Sequence, residues 1–226
     1  MAPSDGRTAD PAEGLALIQR VQRSLQHHYD LPLPYRVSDF VSHDAQAARR
    51  WQGATALPGE TLLVHQQGDS LSMTLYLDAD LLRRAVLACR PGALDAHTIE
   101  PLLDVIEGVS HAVAVLWHAH HARPVGPVAL ELQAGIDKYV VLTDALQARR
   151  QPARAALHDN LFTQRRHLAD DYRHAHRLAS RYCRWLDTRR RRRGGSRAAE
   201  LARFYRLPAG AKLARLSRLP GRLGEA

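Results

Sequence analysis

One helix-like stretch places a carboxylate and an imidazole at a spacing that suits metal binding. Glu107 and His111 are four residues apart, which puts their side chains on one face of an α-helix. Such a pair can supply two of the ligands that a divalent ion of the zinc type requires. The same helical stripe also carries Glu100, Asp104 and His118. A metal or acid–base site on this stripe is therefore one hypothesis for function.

The alternative for this stripe is a solvated helix face. Apolar residues occupy the opposite side of the same stretch, at Leu102, Ile106, Val109, Val113 and Trp117. A helix whose apolar side faces a core leaves its polar side to water. Under that interpretation Glu107 and His111 are surface residues without a chemical role, so the burial of the stripe distinguishes the two hypotheses.

Two further groups could complete a metal shell around that pair. Glu131 comes early in a later predicted helix, and His167, Asp171 and His174 follow the helical spacing i, i+4, i+7 farther along the chain. A catalytic zinc site uses three protein ligands and keeps one position for water. The sequence thus offers Glu131, His167 and His174 as additional ligands of a zinc-like ion. Since the chain has 13 histidines, such spacings also arise by chance.

Several catalytic templates are absent from the sequence. There is no HExxH motif, no repeated ExxH pair of the di-iron type, no Walker A loop and no GxSxG elbow. The two cysteines, Cys89 and Cys183, lie far apart and belong to no motif. A disulfide scaffold and a cysteine-rich zinc module are therefore excluded, and no residue can be assigned a catalytic role by motif.

The charge is divided unevenly along the chain. Residues 1–148 carry 11 Lys+Arg and 17 Asp+Glu, whereas residues 149–226 carry 21 Lys+Arg and 6 Asp+Glu. The net charge of +9 is thus a net of −6 followed by a net of +15, and 30 of the 32 basic residues are arginine. Such asymmetry is typical of a segment that contacts a polyanion, but it also fits two parts of one fold that attract each other.

The basic last third supports the leading hypothesis for function. It predicts an interaction or accessory protein whose residues 149–226 contact nucleic acid or another acidic partner. The candidate contacts are Arg181, Arg184, Arg189, Arg190, Arg191, Arg192, Arg193, Arg203 and Arg206. No helix-turn-helix or zinc-finger signature indicates sequence readout. Short amphipathic segments near Leu201–Leu207 and Leu213–Leu219 would also suit peripheral contact with an anionic membrane.

Two other function classes remain open at this point. One is a metal-dependent, hydrolase-like enzyme in which Glu107 and His111 hold the ion. The other is a scaffold subunit whose partner covers one of the helical faces. The polar first 14 residues and the absence of a long apolar run predict a cytoplasmic protein with no transmembrane segment.

A β-hairpin has the most specific local signal among the elements that must position these residues. Thr61–Gln67 and Ser70–Leu77 flank Gly68-Asp69, a two-residue turn that suits type II′. That turn pairs Gln67 with Ser70, and counting outward pairs Val64 with Met73 and Leu62 with Leu75. The pairing places apolar residues together on one face of the hairpin.

The rest of the chain is predicted to be helical. Helices are expected over about 11–29, 79–89, 98–121, 128–148 and 153–190, with a short one over 197–207. Gly135, inside the fourth of these, is expected to let a neighbouring element approach closely.

The predicted fold class is therefore helix-dominated α+β. The hairpin, extended to a small antiparallel sheet by a third strand near Tyr35–Val41, packs on a cluster of four to five helices. Residues 1–190 are predicted to form a single domain, and residues 191–226 a basic C-terminal appendage with a short helix and a loose tail.

Overall fold

The computed structural model describes residues 11–90, 98–148, 154–163, 170–193 and 196–219. Helices dominate these residues, and a small three-stranded sheet accompanies them. The helix-dominated α+β class predicted from the sequence is therefore confirmed. None of the described helices is both long enough and apolar enough to cross a membrane.

The elements follow one another along the chain in this order. The strands are β1 (Val41–Ser42), β2 (Glu60–Gln67) and β3 (Ser70–Leu77), and a short 3₁₀ helix (Val37–Phe40) precedes β1. The helices are α1 (Pro11–Tyr29), α2 (Ala45–Gln52), α3 (Ala79–Ala88), α4 (Ile99–His120), α5 (Pro127–Ala148), α6 (Arg154–Thr163), α7 (Asp170–Arg193), α8 (Arg197–Tyr205) and α9 (Ala209–Ser217).

Contacts divide the chain into two compact units. The first consists of Met1–Gln22 and Tyr35–Ala112, and the second of Arg23–Pro34 and Val113–Ala226. The sheet, α2 and α3 belong to the first unit, and the helices from α5 onward belong to the second.

The sheet of the first unit has the strand order β1-β3-β2. Strands β2 and β3 pair antiparallel in the predicted register, with Val64 opposite Met73 and Leu62 opposite Leu75. Gly68, in the turn between them, has a φ of +58°, which fits the predicted glycine-first turn. Strand β1 instead pairs parallel to β3. The sheet is therefore mixed and not antiparallel as predicted, because α2 connects β1 to β2 and β1 then pairs with β3, the second strand of the hairpin.

One face of the hairpin packs against α2, a helix that the sequence did not reveal. Ala48 of α2 forms a buried cluster with Leu63 and Tyr76 of the two strands. Asp44 caps the N-terminus by accepting a hydrogen bond from the Ala47 amide at 2.9 Å. Gly53 ends the helix with a φ of +66°, as a left-handed C-cap requires. The two caps stabilise a helix of only eight residues.

A buried glutamine fixes the chain where it enters the sheet. The Gln22 side chain donates a hydrogen bond to the carbonyl of Tyr35 at 2.7 Å and accepts one from the Val37 amide at 2.8 Å. Val37 is fully buried, so its amide needs such a partner within the protein. Gln22 thus links α1 to the segment that leads into β1.

In the second unit, α5 and α7 approach closely at Gly135. A Cβ atom added to Gly135 would lie 2.9 Å from the Cβ of Ala179, which is closer than two carbon atoms can approach. Ala175, Ala179 and Tyr182 on the facing side of α7 are fully buried. The expectation that Gly135 admits a neighbouring element is confirmed.

Helices α6 and α7 lie within the range 153–190 for which a helix is expected, and residues 164–169 between them lie outside the described part. One prediction for the basic part of the chain differs from the structure. The loose tail after residue 207 instead contains α9, where Lys212 and Leu216 are buried. Burial of two positions four residues apart stabilises this helix. The proline and glycine near its start made the sequence resemble a loop.

Aromatic stacking and a buried carboxylate hold α8 and α9 in the second unit. Phe204 stacks on Tyr182 with ring centroids 4.1 Å apart, and Tyr205 stacks on Tyr29 at 4.5 Å. Glu200 of α8 accepts a hydrogen bond from the Arg215 guanidinium of α9 at 2.6 Å. The stacking and this ion pair connect α8 and α9 to α7 and α1.

Candidate metal centre

The candidate site is carried by α4. Its sequence has a regular apolar spacing over 22 residues, which the structure extends from Ile99 to His120. Glu107 and His111 lie one helical turn apart, so that their side chains project in nearly the same direction. The helix therefore provides a carboxylate and an imidazole as neighbouring ligands.

The stripe that carries these residues is covered in part. His111 is 9% exposed, and the adjacent Ser110 is 1% exposed. Apolar residues on the other side of the helix, such as Ile106 and Val109, are fully buried as well. Exposure therefore varies along the stripe: Glu100 is exposed, Asp104, Glu107 and His118 are half-buried, and His111 is buried. A fully solvated helix face does not describe the stripe at His111.

Glu107, His111 and Glu131 form a group that could hold a metal ion. Their ligand atoms, one from each side chain, all lie within 4.8 Å of one another. His111 is buried and the two glutamates are half-buried. Around a zinc ion with bonds of about 2.0–2.2 Å, two ligand atoms lie about 3–4 Å apart. Small side-chain rotations would therefore bring the three atoms to bonding distance.

A third carboxylate lies against the same helix. A Cβ atom added to Gly108 would sit 2.8 Å from both Cγ and Oε1 of Glu60, and 2.9 Å from Cδ1 of Leu75. Glu60 begins β2, and its Oε1 atom is buried. Gly108, which lies between Glu107 and His111 in the sequence, thus leaves the space that the Glu60 carboxylate fills.

Glu60 is the residue near this site that the sequence analysis missed. The hairpin was expected to begin one residue later, and no spacing rule connects residue 60 with a helix 47 positions away. The available signal was Gly108, because a glycine inside a helix marks a close approach by another element. That signal indicates that something lies there, but it does not identify the residue.

The second group of histidines named as ligands is not brought together with this site. His174 is an exposed residue of α7 and is not part of the three-residue group. His167 lies outside the described residues. Among the described residues, Glu131 is therefore the only one of the proposed additional ligands that joins Glu107 and His111.

Another histidine of α4, His118, has a strongly altered acidity. Burial, together with the positive charges of Lys212 and Arg123, lowers its pKa from 6.5 to about 4. Its imidazole is therefore neutral at pH 7. The ring packs edge-on against Trp117 with centroids 5.0 Å apart, which marks it as a residue of the interior of the second unit.

Several of the arginines named as polyanion contacts have acidic partners within the fold. Arg184 lies 3.9 Å from Asp159, Arg203 lies 3.3 Å from Glu200, and Arg206 lies 3.4 Å from Asp30. Arg181 is half-buried on α7. Arg189, Arg190, Arg191, Arg192 and Arg193 form the end of α7, and their side chains lie outside the described part.

No protein-family model matches this chain. No curated protein and no solved structure matches it either. The function has to be argued from the geometry of the site and from general chemistry.

Proposed function

We propose that this protein binds a divalent metal ion through Glu107, His111 and Glu131, and that it is a metal-dependent, hydrolase-like enzyme. The observation that supports the proposal is the proximity of three ligand atoms, all within 4.8 Å of one another. The partial burial of the group adds to it, because a shielded ion is held more strongly than one on an open surface.

The donor set favours a zinc-like ion over magnesium or calcium. Two carboxylates and one imidazole supply two negative charges and one nitrogen donor, a mixture that zinc and neighbouring transition metals accept. Magnesium and calcium prefer oxygen ligands alone. The charge of the ion would be balanced by the two glutamates.

Three protein ligands leave at least one position of a four-coordinate ion for water. A divalent ion lowers the pKa of such a water toward about 7, which makes hydroxide available as a nucleophile. Glu60, whose buried Oε1 atom lies beside Gly108, would accept a hydrogen bond from a metal ligand and so orient it. These roles are those of a metal-assisted hydrolase.

Metal binding is tested on the purified full chain. We expect one equivalent of zinc by elemental analysis, and a saturable titration with zinc or manganese after removal of bound metal. The affinity for metal should fall by at least about 100-fold in each of the variants Glu107→Gln, His111→Ala and Glu131→Gln. Loss of a residue that only hydrogen-bonds a ligand lowers metal affinity by about 10–100-fold, and loss of the ligand itself should cost more.

The matched control is Glu100→Gln, since Glu100 is an exposed carboxylate in the first turn of the same helix. It should bind metal like the unmodified protein. Sub-stoichiometric metal in the unmodified chain, or equal affinity in all four variants, would contradict the proposal. The proposed enzyme activity is tested with chromogenic esters and phosphoesters. We expect metal-dependent hydrolysis that is lost in Glu107→Gln.

The contact between residues 149–226 and nucleic acid stays a prediction, as does the cytoplasmic location. Deletion from residue 189 would remove the buried residues Phe204, Tyr205 and Leu216, so it would disturb the fold along with the charge. Substitution of Arg189–Arg193 by glutamine removes only charge. Binding to RNA or DNA that falls steeply with salt, and weakens in this variant, would support the prediction.

A further inference from the structure

A groove along α9 in the second unit has a composition that differs from the rest of the basic segment. It is lined by Leu207, Ala211, Ala214, Arg215, Arg218 and Leu219, and its volume is about 460 Å³. Sites for small organic molecules occupy about 300–1,000 Å³ and are mostly apolar with a few polar groups. The groove has that size and that composition.

One of its two arginines is held in place by its neighbours. Arg215 donates a hydrogen bond to Glu200 at 2.6 Å, and its guanidinium lies over the Trp185 ring at 5.7 Å. Its Nε atom is buried and makes no hydrogen bond to any residue that the structure describes. Arg215 thus contributes a fixed guanidinium to the groove lining, and its charge is already paired with Glu200.

The other arginine is open to solvent. Arg218 is exposed, and it forms no ion pair with the residues of the described ranges. No acidic residue lines the groove. The charge of Arg218 is therefore free to pair with an anion, and a guanidinium matches the geometry of a carboxylate with two parallel hydrogen bonds.

We propose that this groove binds a free fatty acid of medium chain length. Aliphatic side chains would contact the acyl chain, and Arg218 would pair with the carboxylate. Charge complementarity selects the carboxylate, because Arg218 offers a cation without an ion-pair partner among the described residues, and no acidic residue lines the groove. The volume of about 460 Å³ suits a single acyl chain.

The experiment uses the full chain and decanoate, monitored by titration calorimetry and by displacement of a fluorescent fatty acid. Arg218→Gln should weaken binding about tenfold or more, because it removes one charge-assisted contact. Ala214→Phe should abolish binding by filling the groove. Circular dichroism spectra of both variants serve as the check that they remain folded.

The matched control is Arg177→Gln, which removes an exposed arginine of α7 away from the groove lining and should leave binding unchanged. Decanol, which has the chain without the charge, should bind at least tenfold more weakly than decanoate. Equal affinity of decanol, unchanged binding in both groove variants, or binding only to vesicles of anionic phospholipid would each overturn the proposal.

Discussion

Lys212 is a buried charge whose titration should be visible in the stability of the fold. Its side chain is 4% exposed, and its Nζ lies 3.1 Å from Oε1 of Gln133 and over the rings of Phe204 and Tyr205. Burial lowers its pKa from 10.5 to about 8, and the negative charge of Asp137 offsets only part of that effect. The folded protein therefore disfavours the ammonium form.

The size of the effect follows from the two pKa values. The difference between 10.5 and about 8 corresponds to about 3 kcal/mol of destabilisation at low pH. This cost is present in full below pH 8, where both states bind the proton. Between pH 8 and 10.5 the unfolded chain binds more protons than the folded one, so the free energy of unfolding rises with pH. From pH 7 to about 9.5 the gain is about 2 kcal/mol.

The assay is urea denaturation of the unmodified protein and of Lys212→Met at several pH values between 7 and 9.5. Cys183, whose pKa is raised by burial, also affects stability in this range, but it is present in both proteins. The difference between the two curves therefore isolates Lys212. The curves should diverge by about 2 kcal/mol from the lowest to the highest pH. Parallel curves would refute the reasoning, because the lysine would then titrate normally in the fold.

Two further substitutions test the packing of the second unit by urea denaturation. Gly135→Ala should destabilise the fold by about 1–3 kcal/mol, since the new Cβ would lie 2.9 Å from Cβ of Ala179. In the control Gly210→Ala the new Cβ meets open space, so the free energy of unfolding should instead rise by up to about 1 kcal/mol. A stabilised Gly135→Ala and a destabilised Gly210→Ala would contradict the close approach. Glu200→Ala should cost about 3 kcal/mol because it leaves Arg215 without its 2.6 Å partner, whereas a loss below about 1 kcal/mol would show that water replaces the carboxylate.

The hairpin was predictable because its signals are local. A two-residue turn determines which residues pair, and Gln67 opposite Ser70 then determines every pair up to Glu60 opposite Leu77. The close approach at Gly135 was predictable for a similar reason. Glycine inside a helix is less stable than alanine, so its presence there indicates that a neighbouring element occupies the place of a side chain. In both cases neighbouring residues carry the information.

The burial of α4 could not be derived in the same way. Its stripe from Glu100 to His118 carries only acidic and imidazole side chains, a composition that normally faces water. Whether another element covers it depends on residues far away in the chain, such as Glu60 at the start of β2. Helix α9 escaped detection because Pro208 and Gly210 at its start resemble a loop, although Leu216 is fully buried. Long-range packing decides both cases, and a single sequence does not record it.

The stacking of Tyr205 on Tyr29 has a consequence for the order in which the protein folds during synthesis. Arg206 and Asp30, beside these rings, are separated by 176 residues. A ribosome releases Tyr29 long before Tyr205 exists, so the second unit cannot close until nearly the whole chain has emerged. Strands β2 and β3 need only their own hairpin and can pair much earlier. Until α8 is made, the apolar residues that it covers remain open to chaperones and to neighbouring chains.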